Sequence, residues 1–211
     1  MTSKVEIAKA LLRIKAVFLR PEEPFTWASG IKSPIYCDNR LILSYPEERK
    51  LVEDSLSELI RTSYPEAEAI MGTATAGIAH AAMTAERLGL PMGYVRSSAK
   101  DHGRKNQIEG RIEKGQKVVV VEDLISTASS VLECVDVLRE EDAIVLGIAS
   151  IFTYSMKKGI MNFKESGITN NSLCDLDTLL RVASDEGYIS SDDEKRILKF
   201  RDNPSDESWR S

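Results

Sequence analysis

Val118-Val119-Val120-Val121-Glu122-Asp123 constrains this chain more than any other segment. Four consecutive β-branched residues leave no polar face, which suits a strand buried on both sides, as in a parallel sheet covered by helices. Two carboxylates close the strand. Leu124-Ile125-Ser126-Thr127-Ala128-Ser129-Ser130 follows as a hydroxyl-rich turn, and Val131, Cys134, Val135 and Leu138 then recur at helical spacing. Strand, turn and helix in that order predict an α/β domain.

The same segment carries chemistry. Ligands of open α/β sheets bind at the carboxyl ends of the strands. A turn that opens a helix offers free backbone N–H groups and the positive end of the helix dipole, which suits a phosphate. Glu122 and Asp123 repel a phosphate but accept hydrogen bonds from a vicinal diol. One element therefore has a place for two sugar hydroxyls and a place for a phosphate, as a ribose 5-phosphate requires. Ala128 stands where glycine would be the easy choice, because glycine tolerates positive φ. The alanine implies either a right-handed local backbone or strain.

The chain has 211 residues, enough for one α/β domain with a small appendage. Its formal net charge of −5 argues against bulk attraction to nucleic acid or anionic membrane, and gives local basic clusters more weight. Cys37, Cys134 and Cys174 are odd in number, far apart and without metal-ligand spacing, which suits a reducing cytoplasm. The longest apolar run, Ile144 to Phe152, is too short to span a bilayer, and the first residues lack the apolar core of a signal peptide.

Along the chain, residues 4–20 predict an amphipathic helix with Val5, Ala8, Leu11, Leu12 and Lys15 along one face. Phe25 to Leu43 is less regular and suggests two short strands, Ile35–Asp38 and Arg40–Ile42. Ser44-Tyr45-Pro46-Glu47 reads as a capping box before a helix running to about Thr62. Strands at Ala69–Met71, Met92–Val95, Lys117–Glu122 and Ile144–Phe152 then alternate with helices at Ala76–Leu88, 127–140 and Tyr154–Glu165. This alternation predicts a parallel, doubly wound sheet. Two more helices are expected at about 173–186 and 191–201, the second opened by a capping box at Ser191-Asp192-Asp193-Glu194, with the last ten residues frayed.

Two further loops stand out. Met71-Gly72-Thr73-Ala74-Thr75-Ala76-Gly77-Ile78 joins a strand to a helix with small residues that let a phosphate approach, and Thr73 and Thr75 add hydroxyls. Gly72 and Gly77 have the outer spacing of a P-loop, but Ile78 replaces its lysine, which argues against nucleoside triphosphate hydrolysis. His80, on the helix behind, reads as a packed histidine. The other loop is Arg96-Ser97-Ser98-Ala99-Lys100-Asp101-His102-Gly103-Arg104-Lys105-Asn106-Gln107, which between 96 and 105 carries four Lys/Arg and a histidine against one acid in an acidic chain. A long structureless stretch inside a compact domain is usually a lid or disordered. A cationic lid suits a polyanionic leaving group.

Together these segments resemble the type I phosphoribosyltransferases, in which an acid pair holds the ribose hydroxyls of phosphoribosyl diphosphate (PRPP) and the following loop its 5-phosphate. Arg96-x-x-x-Lys100-Asp101-His102-Gly103 resembles the catalytic loop of the orotate-specific branch, and Phe25-Thr26-Trp27-Ala28-Ser29-Gly30-Ile31-Lys32-Ser33-Pro34 its segment over the pyrimidine. The motifs run in family order over roughly residues 20–155. The resemblance implies one domain over 1–211: a helix and hood over about 1–45, a PRPP-binding core over about 65–155, and C-terminal helices over about 170–205. It implies transfer of ribose 5-phosphate from PRPP to orotate, with orotidine 5′-monophosphate and diphosphate as products. Arg96, Lys100 and His102 are expected on the diphosphate, with Thr73 and Ala74 beside it. Glu122 and Asp123 are expected on the ribose, and Leu124, Ile125, Ser126, Thr127, Ala128, Ser129 and Ser130 around the 5-phosphate. Arg96, Lys100, His102 and Asp123 carry the catalytic expectation, and Ser126 and Lys32 are expected near orotate. Mg²⁺ enters on PRPP and takes no side-chain ligand. The lid reaching into a neighbouring subunit implies a homodimer with shared active sites. Several family members have lysines at positions matching Ala28, Ala76 and Ser97. This chain lacks them, as a Gram-positive subgroup does, which leaves Lys32, Arg40, Arg104 and Lys105 as the compensating cations.

Three other readings remain open on sequence alone. The first is a phosphoribosyltransferase for a purine base or uracil. The second is a non-catalytic PRPP-sensing regulator, which would be expected to bring a nucleic-acid-binding patch. The third is a generic nucleotide-binding α/β domain, which leaves the joint presence of the acid pair and the basic loop unexplained.

Overall fold

The structure is a computed structural model that describes residues 2–27, 30–96 and 107–210. Helix α1 (Lys4–Arg13) is opened by a capping box in which the Ser3 hydroxyl accepts from the Glu6 N–H and the Glu6 carboxylate accepts from the Ser3 N–H. It stops well short of residue 20. Lys15 takes a positive φ of 55°, the Ala16 N–H closes back onto the Leu11 carbonyl, and the chain turns into strand β1 (Val17–Leu19). The apolar run after Lys15 is thus strand, not helix, and Lys15 leaves the buried face.

A two-stranded hairpin follows, β2 (Phe25–Thr26) with β3 (Lys32–Ser33), and then β4 (Ile35–Cys37), which pairs antiparallel with β1. The expected second strand at 40–42 is instead a 3-10 helix, Asn39–Ser44, because the Asp38 carboxylate caps it by accepting from the Arg40 N–H. Ser44 belongs to that turn and forms no capping box. Helix α2 (Pro46–Ser63) starts on proline, whose fixed φ suits the first helical position.

The central sheet is built from β5 (Ala69–Thr73), β6 (Met92–Val95), β7 (Ile108–Glu109), β8 (Lys117–Ile125), β9 (Ile144–Thr153) and β10 (Asn170–Asp175). Their spatial order is β10-β9-β8-β5-β6-β7, and every pairing is parallel except β6 with β7. The parallel doubly wound expectation holds, with one short antiparallel edge strand added. Helices α3 (Ala76–Leu88), α4 (Ser129–Glu140) and α5 (Lys157–Ser166) make the crossovers from β5 to β6, β8 to β9 and β9 to β10. Helix α5 starts three residues later than expected, since Ser155 turns the chain with a φ of 53°.

The valine run of β8 divides its side chains between two cores. Val119 and Val121 pack with residues of α1, α2 and α3, whereas Val118 and Val120 pack with Val131, Val135 and Leu138 of α4. This two-sided burial is why the segment shows no polar alternation.

Past the sheet, the expected helix at 173–186 begins as strand β10. Asp175 then caps α6 (Leu176–Asp185) by accepting from the Thr178 N–H. Helix α7 (Ser191–Asp202) is capped one residue earlier than expected, by a box between Ser190 and Asp193. The expected fraying does not hold for residues 207–210. Glu207–Arg210 forms a 3-10 turn whose Trp209 is 1% exposed and lies edge-on to Phe200.

Candidate active site

The chain runs outward from β5 to β6, then crosses back to β8 on the other side of β5. The carboxyl ends of β5 and β8 therefore flank the topological switch point, where open α/β sheets bind ligands. Glu122 and Asp123 sit at that end of β8. The Glu122 side chain turns inward and is 9% exposed, while Asp123 stays half-exposed. The Asp123 N–H donates to Glu122 Oε1 at 2.9 Å. Asn39 fixes the next peptide from the 3-10 turn, its Nδ2 donating to the Asp123 carbonyl at 2.7 Å. Burial pushes the Glu122 carboxyl up to about 8, and the neighbouring Asp123 carboxylate adds to the rise. Protonated near neutrality, Glu122 can donate as well as accept, so the pair can meet both hydroxyls of a diol.

Ala128 settles the question its identity raised. It takes φ 64° and ψ 0°, in the left-handed region, and caps α4 without a side-chain hydrogen bond. The first backbone N–H groups of α4 have no partner within the helix. Ser129 and Ser130 at its first turn are exposed, and Thr127 Oγ1 lies 3.2 Å from Ser129 Oγ. The loop is thus an N–H-rich, hydroxyl-rimmed opening beside the acid pair.

The turn after β5 is built mainly by packing. A Cβ at Gly77 would fall 2.4 Å from Thr73 Oγ1 and 2.6 Å from the Val121 carbonyl, so only glycine lets α3 lie this close to the sheet. The Thr73 hydroxyl donates to the Val121 carbonyl at 3.3 Å, and the Ala74 N–H to the Val95 carbonyl at 2.9 Å. The Ala74–Thr75 peptide is cis. His80 is fully buried, its Nδ1 2.7 Å from Glu53 Oε1, and is a packed residue as expected.

These elements converge on a cavity of about 100 Å³ lined by Thr73, Ala74, Arg96, Gln107, Glu122 and Ser130. Arg96 follows β6. Its Nη1 is buried and has no hydrogen-bond partner among the described residues, with Glu109 Oε1 3.7 Å away. A buried guanidinium nitrogen beside such a cavity is a ready donor to an anionic oxygen. A second cavity, about 480 Å³, lies between β10 and α5 and meets the loop only at Ile125 and Ser126.

The model of the phosphoribosyl transferase domain matches residues 41–168. The orotate phosphoribosyltransferase of Bacillus cytotoxicus is 56% identical over 206 residues, covering 98% of each chain. The chain belongs to the orotate phosphoribosyltransferase family. Among solved structures, the orotate phosphoribosyltransferase of Aeropyrum pernix aligns with a TM-score of 0.75 at 32% identity, over 87% of this chain and 99% of that one. The Leishmania donovani UMP synthase aligns with a TM-score of 0.81 at 27% identity over 95% of this chain, which spans 42% of that longer protein.

Several residues expected to act in an orotate phosphoribosyltransferase are thus brought together at one strand end: Arg96, Glu122, Asp123 and the loop Ser126 to Ser130, with Thr73 and Ala74 opposite. Lys32 is not among the lining residues. It is exposed on the β2–β3 hairpin and donates to Thr26 Oγ1 at 2.7 Å. Arg40, named as a compensating cation, is forked onto Asp38. Lys100, His102, Arg104, Lys105, Ala28 and Ser97 lie outside the described residues, as does most of the basic loop. Sequence reasoning missed Asn39. Asn39 reaches Asp123 across 84 positions, and no local pattern announces such a contact.

Proposed function

We propose that this chain catalyses the transfer of ribose 5-phosphate from PRPP to orotate, releasing diphosphate and forming orotidine 5′-monophosphate, a step of pyrimidine nucleotide synthesis. The observation that carries the reading is the acid pair and the N–H-rich loop side by side at the switch point, in a chain 56% identical to an orotate phosphoribosyltransferase. The bond from ribose C1 to the diphosphate oxygen breaks, and the bond from C1 to the orotate nitrogen forms on the opposite face. Glu122 and Asp123 orient the ribose hydroxyls. The amides and hydroxyls of Ser126 to Ser130 hold the 5-phosphate, and Ser126 lies toward the base. Arg96 binds the diphosphate as a fork.

Lys100 adds a point charge to the leaving diphosphate and His102 a proton or hydrogen bond. Mg²⁺ carried in by PRPP would offset the charge that develops on the leaving diphosphate. The lid serves the site of a second subunit in a homodimer. No helix among the described residues is long and apolar enough to cross a membrane, and the three cysteines are free and buried. Both facts support a cytoplasmic setting.

The test is loss of orotate absorbance on mixing protein, orotate, PRPP and Mg²⁺, with each omitted in turn. Turnover that needs all three and yields diphosphate is expected. Turnover with another base but not orotate would move the reading within the family, and saturable PRPP binding without turnover would make the chain a regulator. Lys100→Ala should lower turnover by about 10²-fold or more, as for loss of one preorganised charge at the reacting centre. Mixed dimers of Lys100→Ala and Asp123→Ala subunits should regain activity, and no recovery would refute shared sites.

A further inference from the structure

Helix α5 takes no part in the mechanism above, yet it touches the phosphate loop from behind at two consecutive peptides. Asn162 Nδ2 donates to the Thr127 carbonyl at 2.8 Å. One turn earlier, a Cβ on Gly159 would lie 2.6 Å from the Ser126 carbonyl oxygen and 3.5 Å from the Thr127 carbonyl carbon. Gly159 is therefore the point at which the helix backbone comes down onto the loop. A third tie, the Tyr154 N–H on the Ile125 carbonyl at 2.9 Å, anchors the segment leading into α5 to the segment leading into the loop.

The consequence follows from peptide geometry. In a trans peptide the C=O and the following N–H point in opposite directions. With the Ser126 and Thr127 carbonyls held against α5, the N–H groups of Thr127 and Ala128 are aimed away from it. Neither N–H has a hydrogen-bond partner among the described residues. Ala128 follows directly, in a left-handed conformation that a non-glycine residue keeps only when its surroundings over-determine it. Asn162 supplies a directional part of that constraint.

We propose that Asn162 is a positioning residue for PRPP. Through the Thr127 carbonyl it sets the orientation of the loop amides that receive the 5-phosphate, and Gly159 gives it the distance to do so. The proposal rests on the reading of Ser126 to Ser130 as the 5-phosphate loop.

The experiment compares wild type with Asn162→Ala and Asn162→Leu, the second keeping the side chain's bulk without the donor. Steady-state constants are measured for PRPP and for orotate separately, and PRPP binding by calorimetry. Loss of one neutral hydrogen bond predicts a roughly three- to tenfold weaker PRPP interaction in both variants, with the orotate KM and the melting temperature near wild type. Gly159→Ala should weaken PRPP further, because its methyl displaces the Ser126 carbonyl. An unchanged PRPP constant in both Asn162 variants overturns the proposal, as does an equal rise in both KM values, which marks general loosening. Wild type that fails to bind PRPP refutes the underlying functional reading instead.

Discussion

Glu122 offers a sharp test of the site's electrostatics. Its carboxyl is raised from the ordinary 4.5 to about 8, chiefly because burial disfavours the charge and then because Asp123 lies beside it. The folded protein therefore holds a proton that the unfolded chain releases at lower pH. Where the native state binds more protons, stability falls as pH rises. The loss begins near pH 4.5, grows through neutrality and levels off above about 8. At about 1.4 kcal/mol for each tenfold change in proton affinity, the full effect is on the order of 5 kcal/mol. Glu122→Gln imitates the protonated carboxyl and cannot ionise. The variant should exceed wild type in urea unfolding by no more than about 1 kcal/mol near pH 5, by about 3 kcal/mol at pH 7 and by about 4–5 kcal/mol at pH 8.5. The carboxyls held low by partners, such as Asp38 on Arg40 and Asp54 on Lys50 and Arg87, lose their contribution only at more acid pH. A stability difference that stays flat from pH 5 to 8.5 would refute the reasoning, because it would mean that Glu122 is already ionised in the folded state at low pH.

Gly77→Ala should destabilise the protein by about 1–2 kcal/mol in urea unfolding. Overpacking against Thr73 and the Val121 carbonyl costs about 1–3, and the better helix propensity of alanine returns at most about 1. A difference below about 0.5 kcal/mol would mean that α3 can lift off the sheet freely. Trp209→Ala should cost about 3–5 kcal/mol by the same measurement, as for any fully buried tryptophan. A near-neutral result would restore the expectation of a frayed terminus.

What the sequence made legible follows the range of the interactions that decide each element. Met92–Val95 and Ala76–Leu88 were read to the residue, because burial on one or both faces leaves its period in the chain. Strand β10 was missed. Asn170, Asn171 and Ser172 are polar, and only their register with Ile148, Ala149 and Ser150 of β9 makes them a strand. Ser150 bonds Asn170 and Ser172 directly, so the polar surface is satisfied across the sheet rather than by water. Helix α1 was read too long for a related reason: Val17 continues its apolar pattern but pairs with Cys37, twenty positions away.

The site divides along the same line, and Ala128 shows where the local reading stops. Glu122, Asp123 and the hydroxyl-rich turn are contiguous, so their chemistry could be read in order. Asn39 and Asn162, which hold the turn's peptides, act from 84 and 35 positions away. By local rules Ala128 is a defect, since a left-handed alanine costs about 1–2 kcal/mol. Glycine would remove that cost but give back about 0.4–1 in unfolded-state entropy and about 0.8 for a methyl that is 4% exposed here. The terms cancel to within about 1 kcal/mol. The fold therefore has little reason to demand glycine at 128, provided something else holds the loop in its left-handed turn, and the contacts from α5 to the Ser126 and Thr127 carbonyls meet that condition.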